Sequence, residues 1–256
     1  MGYHVAAIRG MPEVRCGDPL DELLADRLRR DGWTLQAFDI LVVAQKIVSK
    51  AEGRQRDLDD VAPTAQAERL AALTGKDPRL VQLVLDESTA VLRTAPDVLI
   101  VRHRLGYVMA NAGIDRSNVP AGPDGRERVL LLPVDPDRSA ARLRGALQQS
   151  FGLNGPFGVV ISDSFGRPWR QGVVNIAIGA AGLPALLDRR GEPDRDGRRL
   201  AMTEVGFADA VAAAAGLAMG EAAESTPAVL LRGLRWHAAE RPAAALIRPL
   251  EQDLFQ

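Results

Sequence analysis

Short, largely apolar runs bounded by turn-forming residues are the feature that most constrains how this chain can fold. Such runs are typical of buried strands, and they occur at residues 5–8, 39–44, 128–133, 157–163 and 228–232. Helical patterns lie between them, at residues 64–73, 78–85, 135–152 and 204–219. Strands and helices do not alternate one by one, as they do in a doubly wound parallel sheet. The pattern therefore predicts an α+β fold of mixed sheets with flanking helices.

The composition is typical of a globular protein, and the charge balance leaves a small-molecule substrate as the default expectation. The 256 residues are 46% hydrophobic, and the formal net charge is -1. That balance creates no positive field to attract nucleic acid or an anionic membrane surface. No run approaches the roughly 20 apolar residues that span a bilayer, and the single cysteine, Cys16, fits a reducing compartment. We therefore expect a cytoplasmic protein with no nucleic-acid or membrane partner.

Two acidic segments, residues 112–118 and 162–169, lie at the ends of predicted strands at residues 107–110 and 157–163. The first contains Asp115, and the second contains Asp163 and Ser164. Magnesium characteristically takes one or two protein carboxylates and keeps its other positions for phosphate and water. The two aspartates are therefore candidate metal ligands, with Ser164 adding a hydroxyl. The alternative is that each aspartate only caps a turn, as most loop aspartates do.

Glu204 is a third acidic candidate. It stands at the predicted start of a strongly apolar helix, directly after Thr203, which suits the N-cap position. A carboxylate there is favoured by the positive end of the helix dipole. Glu204 therefore has a sufficient structural explanation on its own.

Several residues are suited to contact phosphate, which prefers cationic side chains, backbone amides and open turns. These candidates are Lys50, Gln45, the turn at residues 10–13, Arg167 and Arg170. A solvated surface is the alternative for any single arginine, because arginine is frequent in this chain. Lysine, in contrast, occurs only at Lys46, Lys50 and Lys76, so the first two stand out as a pair. The usual phosphate-loop, dinucleotide-binding, zinc-protease and serine-hydrolase motifs are absent.

Several segments, in order along the chain, resemble the coenzyme F420-0:L-glutamate ligase family, also called the F420 γ-glutamyl ligases. They are residues 10–13, 39–53, 110–119, 131–140, 160–170, 178–183, 203–205 and 253–255. The resemblance covers essentially the whole chain. It implies one F420 γ-glutamyl ligase domain over residues 1–256, with a two-part protomer of intertwined sub-domains that assembles as a homodimer.

The same resemblance implies a reaction and its cofactors. The activity would be GTP-dependent joining of L-glutamate to coenzyme F420-0 through an acyl phosphate, followed by further γ-linked additions. Magnesium or manganese would be required, GTP would be the co-substrate, and the resemblance also allows potassium. The partners would thus be small molecules, namely F420-0, L-glutamate and GTP.

The resemblance also assigns roles to individual residues. Metal-binding positions match Asp115, Asp163, Ser164 and Glu204. Nucleotide-contacting positions match Gly10, Met11, Pro12, Glu13, Gln45, Lys50 and Asn118. The implied catalytic residues are Asp115, Asp163 and Lys50.

Residues 173–175, Val-Val-Asn, depart from the Gln-Thr-Asp that is common in the family. We interpret Asn175, together with Arg167 and Arg170, as contacts on the substrate side. The departure keeps open a ligase of the same fold that acts on a different acid or amine. A nucleotide- or coenzyme-binding protein without catalysis is the second alternative.

Overall fold

The computed structural model describes residues 2–122 and 125–253, so residues 254 and 255 of the last resembling segment lie outside the described chain. The strands are β1 (His4–Ile8), β2 (Ile40–Ala44), β3 (Gln55–Asp57), β4 (Ser88–Ala95), β5 (Val98–His103), β6 (Val108–Ala110), β7 (Arg128–Leu130), β8 (Gly158–Arg167), β9 (Arg170–Ala181), β10 (Leu186–Asp188), β11 (Glu204–Gly206) and β12 (Ala228–Arg232). The helices are α1 (Leu20–Arg30), α2 (Gln45–Ala51), α3 (Ala65–Thr74), α4 (Pro78–Asp86), α5 (Pro136–Phe151) and α6 (Phe207–Met219). The predicted α+β class is confirmed. Among the described residues, no helix is long and apolar enough to cross a membrane.

A five-stranded sheet, ordered β1-β12-β2-β8-β9, carries most of the buried core. Only β2 and β8 run parallel, and the other neighbours are antiparallel. Leu41 and Val43 of β2 pack with α1 and α5 on one face, whereas Ile40 and Val42 pack with α6 on the other. Because both faces are buried, β2 is a continuous apolar run rather than an alternating one.

Helix α6 is rich in alanine where it meets the sheet. Ala208, Ala212 and Ala215 are fully buried, and their small side chains allow the helix to lie close to β9 and β12. The helix ends at Met219, with Gly220 as its C-cap. The residues that follow lead back to β12 and, as described below, pass beside the candidate site.

Residues 55–130 form separate, smaller sheets. Strands β4, β5 and β6 make a three-stranded antiparallel sheet, and β3 pairs with β7. Helices α3 and α4 pack on the three-stranded sheet around a core of their own that includes Val81, Val84, Leu99 and Val101. This core is distinct from those of the large sheet. Intertwining of two sub-domains, and of two protomers, stays a prediction.

Strand β8 is longer than the sequence indicates. The apolar run was expected to end at a loop containing Asp163, but β8 continues to Arg167 and pairs with β9 along its length. Pro168 and Trp169 form the turn between the two strands, and Trp169 has a φ of 64°. Asp163 therefore lies within a strand. Pairing with β9 extends the strand through a polar segment that the local sequence pattern assigns to a loop.

Glu204 also differs from its predicted setting. It lies in β11, opposite Asp188 of β10, rather than at the start of a helix. Helix α6 begins three residues later at Phe207, with Gly206 at the N-cap position. Pairing with β10 thus overrides the local helix-start signal.

Candidate active site

The parallel pair of β2 and β8 brings two candidate residues to one end of the large sheet. Ala44, the last residue of β2, is paired with Ser162 of β8. Gln45 therefore begins α2 beside the point at which Asp163 follows in β8. A cavity of about 640 Å³ opens there, and both Gln45 and Asp163 line it. This volume lies within the usual range of small-molecule sites.

Asp115 reaches this region from the smaller sheets. Backbone hydrogen bonds of 2.9 Å in both directions tie it to Leu130. Its side chain accepts a hydrogen bond from Gln45 Nε2 at 2.6 Å, and Lys46 Nζ lies 3.3 Å from its Oδ1. Burial raises the pKa of Asp115, while the charge of Lys46 opposes that rise. Asp115 thus contacts two residues that line the cavity.

An unusual backbone turn leads the chain into Asp115. Asn111, Ala112 and Gly113 have φ values of 51°, 52° and 66°, all in the left-handed region. That conformation costs an alanine about 1–2 kcal/mol, and Ala112 is held in it by complete burial. Glycine suits position 113, because an L side chain is strained at this φ and an added Cβ would also lie 2.5 Å from Met109 Cε. Tertiary packing therefore determines the direction in which Asp115 is presented.

Asp163 lies in β8 just after a β-bulge, at which Ile178 of β9 is the extra, unpaired residue. Burial raises the pKa of Asp163 to about 7, and the negative charges of Asp115 and Glu221 act in the same direction. A cation beside these carboxylates would favour the ionised form of Asp163. The electrostatics of the cavity therefore favour a positively charged ligand.

Glu221 is a site residue that the sequence analysis missed. Ser164 Oγ donates to its Oε2 and Asn175 Nδ2 donates to its Oε1, each at 2.7 Å. All three residues line the cavity. A signal existed in the sequence, because Glu221 follows the C-cap Gly220 at the end of α6, where the helix dipole disfavours negative charge. An acid at that position points to a role outside the helix.

Two lysines supply positive charge on another part of the lining. The buried Lys50 places Nζ 2.5 Å from Glu13 Oε1. Lys46 Nζ lies 3.0 Å from Ser117 Oγ in addition to its contact with Asp115. Lys46 was noted in the sequence only for its rarity, and its pairing with Asp115, a residue far along the chain, is visible only in three dimensions.

Most of the residues predicted to contact nucleotide line this same cavity. They are Met11, Pro12, Glu13, Gln45, Lys50 and Asn118. Gly10 precedes this group and is not part of the lining; it has a φ of 70°, and a Cβ there would lie 3.3 Å from Arg27 Nη1. Gly10 therefore turns the chain after β1 so that the next three residues reach the cavity.

Gly10 and Asp115 lie next to lining residues without lining the cavity themselves, and three further predicted site residues are not brought to it. Glu204, predicted as a metal ligand, lies 3.5 Å from Arg190 Nη2 instead, and Glu221 is the carboxylate found beside Ser164. Arg167 Nη2 donates to the backbone carbonyl of Gln171 at 2.9 Å, and Arg170 is exposed at the hairpin tip. The extension of β8 and β9 carries both arginines beyond the lining. Asn175 does line the cavity, but its observed contact is with Glu221.

The donor set can be compared with what a hard divalent cation needs. In the part of the chain that the structure describes, no three or more His, Cys, Asp or Glu side chains form a ready-made metal cluster. Magnesium does not require one, since it keeps water and phosphate oxygens beside one or two carboxylates. Asp115, Asp163, Ser164 and Glu221 offer oxygen atoms of that kind. The residues present therefore fit a magnesium or manganese ion that is bound together with phosphate.

The fold and the site define an α+β protein with a nucleotide-sized cavity that combines carboxylates with two lysines. A sequence model of the F420-0:Gamma-glutamyl ligase family matches residues 9–233, and the chain belongs to this family. It is 46% identical over 248 residues to the coenzyme F420:L-glutamate ligase of Methanopyrus kandleri, covering 95% of this chain and 94% of that protein. The enzyme of the same name from Methanothermobacter thermautotrophicus is 43% identical over 258 residues, with both chains covered completely. That of Methanocaldococcus jannaschii is 41% identical over 256 residues, covering 100% and 96%.

Proposed function

We propose that this protein is a GTP-dependent ligase that joins L-glutamate to coenzyme F420-0, with γ-linked glutamates added in later rounds. The observation that carries the proposal is a single cavity in which Asp163 and Glu221 lie with Lys46 and Lys50. The chain around that cavity is similar over its full length to coenzyme F420:L-glutamate ligases. Both a metal-phosphate site and a glutamate ligase are therefore supported by independent features.

The proposed division of the cavity follows from its charges. Asp115, Asp163, Ser164 and Glu221 would hold magnesium or manganese. A cation there would offset the negative charge of the phosphate oxygens during transfer. Lys46 and Lys50 would contact the nucleotide phosphates, whose charge would compete with Asp115 and Glu13 for the two ammonium groups.

The proposed reaction has two steps. A carboxylate oxygen of F420-0 attacks the γ-phosphorus of GTP, which forms an acyl phosphate and releases GDP. The amine of glutamate then attacks the acyl carbon, which forms the amide and releases phosphate and a proton. Both steps become faster when the reacting atoms are held close together and correctly oriented. Fixed donors such as Gln45 and Lys50 would help to hold the reactants in that orientation without reorganising during the reaction.

The proposal is tested by incubating the protein with F420-0, L-glutamate, GTP and manganese, followed by mass analysis. We expect products heavier by one or more glutamates, and GDP formation that requires both F420-0 and glutamate. Omission of each component in turn provides the control, and ATP in place of GTP tests the nucleotide preference. GTP consumption that proceeds equally well without glutamate would contradict a ligase. Addition of potassium to the same assay tests whether a monovalent ion contributes.

A ligase for a different acid or amine remains the second candidate, because Val173, Val174 and Asn175 depart from the common family pattern. A panel of acids and amino acids under the same conditions separates the two by product mass. A protein that bound GTP and metal without turnover over that whole panel would instead match the non-catalytic alternative.

A cytoplasmic homodimer is part of the same proposal. Apolar surface on the β8–β9 hairpin supports self-association, since Trp169 is 89% exposed and Val173 is 53% exposed. Sedimentation velocity over a range of protein concentrations tests the assembly, and fractionation of the source cells tests the location. A monomer at every concentration would contradict the dimer without affecting the proposed reaction.

A further inference from the structure

The carboxylate of Glu221 is held from two sides by residues that face each other in the sheet. Ser164 of β8 and Asn175 of β9 are direct cross-strand partners. Ser164 donates to Oε2 and Asn175 to Oε1, each at 2.7 Å. Both oxygens of an otherwise exposed side chain are therefore fixed relative to Asp163, which precedes Ser164 in the same strand.

Asn175 differs from Ser164 in being buried, with 8% of its surface exposed. Its side chain lies against α6 at Gly216, where an added Cβ would be 2.6 Å from Nδ2 and 3.0 Å from Cγ. Glycine in a helix interior weakens the helix relative to alanine. Gly216 is thus unfavourable for α6 itself, and what its missing side chain provides is the space that Asn175 fills.

The choice of an amide at position 175 also has a chemical reason. An amide nitrogen donates hydrogen bonds to a carboxylate and carries no charge. A carboxylate at the same place would face Glu221 with like charge and without a donor. The side chain present therefore orients the carboxylate of Glu221 without adding a second negative charge beside it.

We propose that Asn175 is a positioning residue for Glu221, and that glycine at position 216 provides the space that the side chain of Asn175 needs for this role. The role goes beyond the substrate contact expected from the sequence, because Asn175 acts through a carboxylate rather than on the substrate. The inference rests on the proposed function in one respect, namely that Glu221 contributes to cation binding. Residues that orient metal ligands through hydrogen bonds usually affect metal affinity by tenfold to a hundredfold.

The first test is Asn175→Ala, with manganese affinity measured by titration calorimetry or by electron paramagnetic resonance in the presence of GDP. We expect the dissociation constant for manganese to rise about tenfold. In turnover, the manganese concentration for half-maximal rate should rise by the same factor, while the KM for GTP at saturating manganese stays unchanged. A side chain that only fills space would not separate these two quantities.

The second test leaves Asn175 unchanged and fills the space beside its side chain at position 216. Gly216→Ala should weaken manganese binding in the same direction, since the new methyl group displaces the amide. In the Asn175→Ala background, Gly216→Ala should have no further effect on manganese binding, because the amide that the methyl group would displace is already gone and only the Cβ of residue 175, 3.1 Å from the built Cβ, remains beside it. Non-additivity of this kind is the signature of two residues that act as one unit.

Gly145→Ala is the matched control. Gly145 lies in α5, and nothing is within 4 Å of a Cβ built there. The same substitution in a helix interior should therefore raise the melting temperature and leave manganese affinity unchanged. Unaltered manganese binding by Asn175→Ala, or additive effects of the two substitutions, would overturn the proposal while the ligase assignment stands. A wild-type protein that binds no manganese would overturn this inference and the proposed metal site together, and product analysis would still decide the ligase activity separately.

Discussion

Asp163 is a single residue whose burial in the candidate site lowers the free energy of unfolding at neutral pH. Burial and the neighbouring carboxylates raise its pKa to about 7, whereas an unfolded chain ionises an aspartate near 3.8. Between these values the folded protein retains a proton that the unfolded protein has released. Stability is therefore lost as pH rises from about 4 to about 7, and the loss is complete above that range. A bound cation would remove the penalty.

Substitution of Asp163 by asparagine should therefore stabilise the metal-free protein at pH 8 while abolishing turnover. The gain in the free energy of unfolding should exceed about 1.4 kcal/mol, the value of a single pKa unit, and it should be much smaller at pH 4. Urea unfolding in the presence of a chelator at both values measures it. An equal change at both pH values would show that ionisation of Asp163 is not its source.

The β-bulge between β8 and β9 is the feature that matters most at the scale of elements. Ile161 pairs with Gly179, but the next residue, Ser162, pairs with Ala177, so one residue of β9 is left over. Bulges re-aim the side chains that follow them, and here the following residue is Asp163. The carbonyl of the extra residue, Ile178, does not remain unpaired, because Tyr107 Oη donates to it at 2.8 Å.

Tyr107→Phe removes that hydrogen bond and leaves a buried carbonyl without its partner. We expect a loss of about 1–3 kcal/mol in the free energy of unfolding, with an unchanged dependence on urea concentration. Tyr3→Phe is the control, since Tyr3 is 71% exposed and its hydroxyl can exchange with water. A loss that is equally small in both variants would mean that the bulge does not depend on Tyr107.

At the scale of the whole molecule, a network around Glu87 joins the smaller sheets to the chain that follows α2. Arg54 Nη2 contacts Glu87 Oε1 at 2.8 Å, and Arg104 Nε contacts Oε2 at 3.0 Å. Arg54 Nε also donates to the carbonyl of Leu132 at 2.8 Å. Burial by itself would raise the pKa of Glu87, but His103 and the two arginines outweigh it and lower the pKa to about 2. The network therefore ties Glu87, at the end of α4, to Arg54, which follows the helix that carries Lys50.

Glu87→Gln should destabilise the protein at pH 7 by about 3 kcal/mol, the value of a pKa lowered from 4.5 to about 2. Because the folded pKa is lowered, this stabilisation is present above about pH 4.5 and is lost as the pH falls toward 2. The difference between wild type and variant should accordingly shrink at pH 3. Chemical unfolding at the two pH values provides the measurement, and a difference that does not change with pH would refute the assignment to Glu87 ionisation.

Local sequence patterns were sufficient to predict where the central strands lie. Residues 39–44 and 228–232 were predicted as strands and correspond to β2 (Ile40–Ala44) and β12 (Ala228–Arg232). Burial on both faces requires an unbroken apolar run, and such a run is visible in any window of sequence. The same holds for α3 and α4, whose N-caps Thr64 and Asp77 accept hydrogen bonds from the first turn.

Local patterns were insufficient where a residue's role depends on a distant partner. Glu204 was assigned to a helix start from its neighbours, but its strand partner is Asp188. Glu221 was passed over, although its hydrogen-bond partners are Ser164 and Asn175, far away in the chain. The first contact depends on the register of two strands, which is not encoded in either strand alone. The second joins the segment after α6 to the β8–β9 pair, and only packing brings them together.

The sequence was enough to establish the α+β class and the family, and most of the site residues predicted from it line the cavity, because apolar periodicity and ordered motifs can be read along the chain itself. The tertiary structure alone determined which carboxylate accompanies Asp163, that Lys46 faces Asp115, and that Asn175 and Gly216 orient Glu221. In each of these contacts the two residues are far apart in the sequence, and only tertiary packing brings them together. Hydrogen bonds and charge interactions act only when the atoms are close, so the sequence alone does not reveal them.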